Sequence, residues 1–243
     1  MKNSYASLVG LLALAGCISN SSEEPQFELA GEYRTTGTIV ATNPVIMYTR
    51  TGPVNNPMLV DNFIRRRLGS SSGYFSRTDV ALTDNRSLTL TIDAQNKATL
   101  VSTYLTNSQT TRATLGSRNP QYFVLARVDT AAILTPTGSP NRCAQLFEQG
   151  QLLQPTKRCQ ALPPATGYSQ QCKFQPLSAV TIRNNQLYLP YLSVFVSGSQ
   201  PASGTCSAGT GGAANYFNPA LVNQLAASDT LVVQERELPL TKR

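Results

Sequence analysis

The sequence predicts a mainly β protein, arranged as an antiparallel up-and-down barrel or as a two-sheet sandwich, with two short helices. The first observation is the alternation of apolar and polar residues over most of the chain, which is the period of half-buried strands. The second is the hairpin-like turns between these segments, which make successive strands antiparallel. The third is a set of four cysteines in the second half, which indicates loops held by disulfides.

The strands follow one another along the chain, roughly eight or nine in number. We expect them at 32–41, 87–92, 98–105, 109–115, 121–128, 179–183, 186–189 and 230–235. Asn184 and Asn185 separate two of these segments by two residues, which is a strong hairpin signal. The second arm of that hairpin is expected to continue past Pro190 through 191–197. A proline there suits a sheet edge or a bulge, because it lacks the N–H of a ladder hydrogen bond.

Two segments have the start signals of helices. Asn56 is a predicted N-cap, Pro57 takes the first helical position, and Gly69 follows the end. An apolar stripe at i,i+4 spacing runs along this helix and consists of Leu59, Val60, Phe63, Ile64 and Leu68. Asn218 and Pro219 open a second helix in the same way.

The densest basic cluster is Arg65, Arg66 and Arg67, in the last turn of the first helix. As a functional feature it would be an anion-binding patch. The alternative is the solvated, cationic end of a helix, which the helix dipole favours. Arg65 is also placed to pair with Asp61 at i,i+4 spacing.

The four cysteines in the second half of the chain are expected to form two disulfides. An even number of cysteines indicates a disulfide framework in an exported chain, and the signal for export is described below. The four are Cys143, Cys159, Cys172 and Cys206. Three connectivities are open, and the lower entropy of closing short loops favours pairing in sequence order. The absence of a C-x-x-C motif argues against a zinc ribbon or a redox pair.

Two segments are predicted to be long loops. Residues 135–176 are rich in Pro, Gln and Cys with little alternation, and residues 197–214 are rich in Gly, Ser and Ala. Stapled loops on a β scaffold are places where binding sites tend to lie.

Residues 1–16 are predicted to be a cleaved signal peptide. Lys2 supplies the positive charge, an apolar run begins at Leu8, and small residues precede Cys17. The run is far shorter than the roughly 20 apolar residues that a membrane-spanning helix needs.

The end of this segment resembles the lipobox of bacterial lipoproteins, and the residues that match are Leu14, Ala15, Gly16 and Cys17. The resemblance implies diacylglycerol on the Cys17 sulfur and cleavage between Gly16 and Cys17. Ile18 stands where an aspartate would favour retention in the inner membrane, which implies the outer membrane, with the leaflet left open. The partner implied first is therefore a membrane, bound through lipid on Cys17.

Charge divides the mature chain into a tether, 17–28, and a single β domain, 29–243. Four glutamates and no basic residue lie between Cys17 and Tyr33, whereas the chain from Tyr33 onward has 19 basic and 9 acidic residues. A basic exported body could attract an anionic envelope glycan or lipid head group, although basic residues also serve solubility. Export away from the cytoplasm argues against nucleic acid as a partner.

The chain contains no histidine, which excludes Ser-His-Asp and Cys-His catalysis and any metal site that needs imidazole. No cofactor or metal motif is present. One hypothesis that this leaves open is a carboxylate-based enzyme acting on glycans. Two facing carboxylates about 5 to 10 Å apart would support it.

The start of the domain resembles that of lipocalin-like lipoproteins, in which a glycine precedes an aromatic residue by two places. Here these residues are Gly31 and Tyr33, and the family's usual tryptophan is replaced by tyrosine. The resemblance implies a barrel that holds a small apolar ligand, in a cavity lined by residues such as Tyr122, Val124 and Tyr188. We therefore expect a non-enzymatic envelope lipoprotein that binds a small ligand or a protein or glycan partner. The alternative is an assembly lipoprotein that docks on another envelope protein, for which a filled core would be the sign.

Overall fold

The computed structural model describes residues 28–35, 37–69, 74–82, 86–118, 122–137, 141–199 and 204–243. Its strands are β1 Gly31–Thr35, β2 Thr38–Ile39, β3 Ile46–Thr49, β4 Gly52–Val54, β5 Val80–Ala81, β6 Arg86–Ile92, β7 Lys97–Tyr104, β8 Asn107–Arg118, β9 Tyr122–Arg127, β10 Ala131–Pro136, β11 Arg158–Ala161, β12 Tyr168–Phe174, β13 Leu177–Arg183, β14 Gln186–Gly198, β15 Cys206–Ala213 and β16 Thr230–Lys242. The helices are α1 Pro57–Leu68 and α2 Arg142–Gln149, with 3₁₀ segments at Pro164–Thr166 and Pro219–Gln224.

Eight strands form a closed antiparallel barrel in the order β1, β6, β7, β8, β9, β13, β14 and β16. Each pairs with the next barrel strand along the chain, and β16 pairs back with β1 to close the ring. This is an up-and-down barrel, so the barrel alternative is confirmed over the two-sheet sandwich, and the arrangement is consistent with a lipocalin-like barrel. The other strands lie in the connections between barrel strands.

Large apolar side chains fill the barrel interior. Tyr33, Leu90, Phe123 and Leu240 are each almost completely buried there, and smaller residues complete the same cluster. A barrel of eight strands is just wide enough for its own side chains to fill. This filled core is the sign that we associated with docking on another envelope protein.

The longest strands, β14 and β16, continue beyond the barrel as a paired ribbon. There β15 and β3 join its two edges, and β4 extends the sheet beyond β3. The helix α1 packs on one face of this extension through Val60 and Ile64, which contact Phe195 and its neighbours. The opposite face is covered by α2 and the 3₁₀ segment at Pro219–Gln224 through Leu146 and Leu221. The molecule is therefore a barrel joined to a helix-covered sheet by two shared strands.

A buried polar layer separates the barrel core from the core beneath α1. Ser193, Gln234 and Arg236 are each at most 2% exposed. The Nη2 of Arg236 donates to the carbonyl oxygen of Tyr74 at 2.9 Å, and its guanidinium lies over the ring of Tyr191. Desolvation by burial lowers the pKa of Arg236 below its ordinary value.

Several local expectations are confirmed. Asn184 and Asn185 both have positive φ and connect β13 to β14, as a two-residue hairpin of this type requires. The side chain of Asn56 accepts hydrogen bonds from the first turn of α1. Pro190 lies inside β14, at the point where the strand that pairs with one edge of β14 changes from β13 to β15.

The second predicted helix differs in type. The segment that Asn218 caps is a 3₁₀ helix, not an α-helix.

The two predicted long loops are largely regular structure, and that prediction was wrong. Residues 135–176 contain α2, β11 and β12, and residues 197–214 contain β15. The strands β10, β12 and β11 form a separate three-stranded sheet, which we call the arm. All four residues of β11 are exposed, so the sequence carries no burial pattern that would reveal the strand.

Two disulfides are present, as predicted, but the sequence-order pairing was wrong. Cys143 pairs with Cys206, which ties α2 to β15, and Cys159 pairs with Cys172 between the paired strands β11 and β12. The loop-closure argument failed because it ignored the tertiary packing of α2 against β15, which places Cys143 beside Cys206 despite the 63 residues between them. No helix in the described part of the chain is long and apolar enough to cross a bilayer.

Candidate functional site

The candidate site is a cleft on the outer wall of the barrel, with a volume of about 550 Å³. We call it the outer-wall cleft, and it is lined by Tyr122, Leu152, Thr181, Ile182, Arg183, Tyr216 and Glu237. Its volume lies within the range of small-molecule sites in proteins, which is roughly 300 to 1,000 Å³.

The floor of the cleft is a row of side chains across adjacent strands. Thr181 of β13 lies directly between Tyr122 of β9 and Tyr188 of β14. Their neighbours Phe123 and Leu187 belong to the barrel core. Because successive side chains of a strand point to opposite faces, the two tyrosines and Thr181 point outward. Val124, two residues along β9 from Tyr122, points outward as well, so the expectation that Tyr122, Val124 and Tyr188 line an interior cavity was wrong.

A short roof covers one side of this floor. Leu152 donates its N–H to the carbonyl oxygen of Tyr216 at 2.8 Å, which joins the chain after α2 to the chain after β15. The side chain of Asn215, 3% exposed, bonds the same two segments: its Oδ1 accepts from the N–H of Leu153 at 2.9 Å, and its Nδ2 donates to the carbonyl oxygen of Leu153 at 2.9 Å. The roof positions the ring of Tyr216 at 5.7 Å from that of Tyr122, centroid to centroid.

Charged groups occupy the end of the cleft near the β13–β14 hairpin. Arg183 forms an ion pair with Glu237, whose side chain is largely buried, and the guanidinium of Arg183 also lies over the ring of Tyr188 at 4.4 Å. A second carboxylate on the same face of β16, that of Glu235, accepts the N–H of Phe217 at 2.7 Å. Both carboxylates are thus held by donors of the protein.

Burial and nearby carboxylates keep Tyr216 protonated. Desolvation is the main cause that raises the pKa of its phenol far above the ordinary value, and the charges of Glu237 and Glu235 add to the effect. Both effects favour the neutral, hydrogen-donating form of the hydroxyl.

One polar atom of the cleft is buried without a partner. The Oγ1 of Thr181 has no hydrogen bond within the described part of the chain, and the residue is 7% exposed. Buried hydroxyls in folded proteins almost always have a partner, so an orphaned one requires an explanation. Thr181 is also one of the residues that line the cleft, so its unpartnered hydroxyl lies at the cleft wall.

The arginine cluster does not converge on one site. Arg66 and Arg67 line a cavity of about 590 Å³ beside Phe63, whereas Arg65 lines a separate, smaller cavity on the other flank of α1. All three are exposed. The expected pair between Arg65 and Asp61 is absent, because the carboxylate of Asp61 instead bonds Arg77 at 2.8 Å.

Sequence reasoning missed most of the cleft. Arg183, Tyr216 and Glu237 are separated by long stretches of chain and meet only through the pairing of the barrel strands and the roof. No local motif marks them.

The four disulfide cysteines are located as described above, but the lipidation site, Cys17, and the tether up to residue 27 lie outside the described residues. Within the residues that the structure covers, no group of three or more side chains could hold a metal ion. Comparisons of the chain with protein-family models, with curated proteins and with solved structures gave no significant match.

Proposed function

We propose that the protein is a lipid-anchored, non-enzymatic lipoprotein of the cell envelope that binds a small polar ligand, such as a sugar ring, in the outer-wall cleft. The observation that carries the proposal is the unpartnered, buried Oγ1 of Thr181 in the floor of that cleft. The filled barrel core supports placing the ligand outside the barrel.

The lining suits a ligand with both apolar faces and hydroxyl groups. The rings of Tyr122 and Tyr216 offer flat apolar surfaces, and Thr181 offers a free hydroxyl. Arg183 and Glu237 add a donor fork and an acceptor, although their mutual ion pair makes the cleft nearly neutral. This combination fits a neutral or weakly charged sugar better than a purely apolar molecule, because an apolar ligand would bury these polar groups without partners.

The assignment as a binding protein and not an enzyme rests on the state of the carboxylates. Glu237 is held by Arg183 and Glu235 by the N–H of Phe217, so neither is placed as a free acid or base. The absence of histidine from the sequence removes the commonest alternative base.

The lipid anchor is proposed from the lipobox resemblance at residues 14–17 and from the short apolar run before it. Two or more acyl chains on Cys17 would hold the protein firmly to a membrane, at about 0.8 kcal/mol for each buried methylene. Ile18 makes the outer membrane the proposed location. Cells fed labelled palmitate should incorporate label into the wild-type protein and none into Cys17→Ala. Label in that variant, or its absence from both proteins, would contradict the anchor.

Binding in the outer-wall cleft is tested with Thr181→Val, which removes the hydroxyl and keeps the shape. Native mass spectrometry of protein purified from an oxidising compartment reports any retained ligand, and a panel of envelope sugars then gives affinities by calorimetry. We expect wild type to bind, Thr181→Val to bind about tenfold more weakly, and its stability to be unchanged or slightly raised. Thr114→Val, at an exposed position of β8, is the matched control and should bind as wild type does. Equal binding by Thr181→Val would refute the site.

Docking on another envelope protein is a second candidate, favoured by one surface of the arm. Ile133 and Leu134 are 39% and 43% exposed on β10, which is an edge strand. An exposed apolar edge can pair with a strand of a partner. A photoreactive residue at position 133 should crosslink to one defined envelope protein in intact cells if docking is the function, and adding Leu134→Lys should abolish that product.

A further inference from the structure

A second cavity lies where the arm joins the barrel, with a volume of about 550 Å³. We call it the basic cleft, and its lining consists of Thr130, Gln154, Pro155, Thr156, Arg158, Lys173, Phe174, Gln175 and Leu177. The lining contains two cations and no carboxylate. It shares no residue with the outer-wall cleft.

The two cations occupy directly opposite positions of an antiparallel strand pair. Arg158 of β11 is the register partner of Lys173 of β12. Side chains at such positions point to the same face with their Cβ atoms only about 4.5 to 5.5 Å apart, and like charges there destabilise the sheet. The chain therefore maintains a local repulsion beside a cavity.

The neighbouring disulfide prevents the strands from relieving this repulsion by a change of register. Cys159 and Cys172 are the next register pair, with their Cα atoms 4.0 Å apart, and the bond between them fixes the alignment of β11 with β12. The two cations are thus held on one face by a covalent link one residue away.

No carboxylate in the described part of the chain forms an ion pair with either of these cations. Across the described ranges, neither Arg158 nor Lys173 forms an ion pair, and the adjacent Lys157 is bound instead to Glu148 at 2.5 Å. An arrangement that concentrates positive charge at a cavity without a counter-ion is suited to an anion from outside.

We propose that the basic cleft binds a small organic anion, with its phosphate or carboxylate group between Arg158 and Lys173. The amides of Gln154 and Gln175 and the hydroxyls of Thr130 and Thr156 supply hydrogen-bonding groups for a polar body. Phe174 and Leu177 form an apolar wall. The volume suits a body of about the size of one sugar. The proposal concerns a separate site and does not depend on the function proposed for the outer-wall cleft.

The test uses glucose 6-phosphate and glucuronate as probes, with inorganic phosphate as the minimal anion, in calorimetry and thermal-shift measurements on the purified, oxidised protein. Arg158→Gln and Lys173→Gln each remove one charge from the cleft. Lys157→Gln is the matched control. Lys157 is next to Arg158 in sequence and has the same charge, but its side chain pairs with Glu148 and does not line the cleft.

We expect at least one of the three probes to bind and to raise the thermal midpoint of wild type. Each cleft variant should bind about tenfold more weakly, and the control should stay within about twofold. Without any anion, Lys173→Gln should be as stable as wild type or more stable, since it removes the repulsion.

Binding of glucose 6-phosphate alone identifies a phosphate, binding of glucuronate alone a carboxylate, and binding of both the shared anionic chemistry. If none of the three probes binds at a concentration of about 10 mM, which sets the weakest dissociation constant of interest, the proposal is overturned. Equal weakening by Lys157→Gln would overturn it as well, because the effect would then be one of net charge.

Discussion

Replacing Asn215 with alanine is expected to open the roof of the outer-wall cleft. Four hydrogen bonds would be lost: Oδ1 accepts from the N–H groups of Leu153 and Tyr216 at 2.9 and 2.8 Å, and Nδ2 donates to Leu153 O at 2.9 Å and Gln151 Oε1 at 3.2 Å. A neutral hydrogen bond contributes about 0.5–1.5 kcal/mol net. Because water reaches the half-buried partners, we expect a total loss of about 2–3 kcal/mol in the free energy of unfolding.

Amide hydrogen exchange distinguishes a local opening from a general loss of stability. The N–H groups of Leu152 and Leu153 should exchange roughly 30- to 150-fold faster in Asn215→Ala, which corresponds to about 2–3 kcal/mol of local protection. Amides of the barrel strands should change less. Asn141→Ala, which removes the N-cap of α2, is the control: it should destabilise by about 1 kcal/mol and leave the roof closed. Unchanged exchange at Leu152 and Leu153 would refute the reasoning.

Three further predictions concern stability. Arg142→Gln removes the ion-pair partner of the fully buried Asp229 carboxylate, which Arg142 bonds at 2.6 Å and which also accepts the N–H of Ala226 at 2.8 Å. The free energy of unfolding in urea should fall by about 2 kcal/mol, less than for a fully buried pair because the Arg142 side chain is 38% exposed; an unchanged midpoint would contradict this. Because its pKa is raised, Tyr216 keeps its phenol proton in the native state, whereas the unfolded state loses this proton above about pH 10. The free energy of unfolding should therefore fall as the pH rises above about 10, by up to about 1.4 kcal/mol per pH unit. The fall should be less steep in Tyr216→Phe. Joint replacement of Cys143 and Cys206 by alanine opens a link across 63 residues and should cost about 4 kcal/mol by calorimetry; a midpoint equal to wild type would show that the link contributes little.

Local signals in the sequence were sufficient for most of the barrel. The alternation of 87–92 and the Asn184–Asn185 turn correspond to β6 and to the β13–β14 hairpin, because strand period and turn conformation depend on residues near in sequence. The start of α1 at Pro57 was predictable for the same reason.

The arm and the clefts were not predictable, because their determinants are distant in sequence. The exposed strand β11 has no apolar face, and its position is fixed by Cys159 and its pairing with β12. Thr181 and Tyr216 line the same cleft only because the barrel strands pair and the roof lies over them. The orphaned hydroxyl of Thr181 is a property of that three-dimensional arrangement, and no pattern of neighbouring residues marks it.

The buried polar layer explains how one pair of strands can serve two cores without ambiguity of register. Side chains alternate along β16, so one face of the strand carries Val232 beneath α1, then Gln234 and Arg236 in the polar layer, then Leu238 in the barrel core. A slip of one residue would move Arg236 to the outer face and place Glu237 in the core, where a carboxylate without its partner is costly. The bond of Arg236 to the Oγ of Ser193 spans the two strands, and the bonds of Arg236 to Tyr74 and of Gln234 to Ser76 hold the same face of β16. These bonds add to the apolar pattern in favouring a single alignment. The same alignment sets Glu237 opposite Pro190 on the outer wall, within reach of Arg183, so the register of the ribbon also determines the chemistry of the cleft.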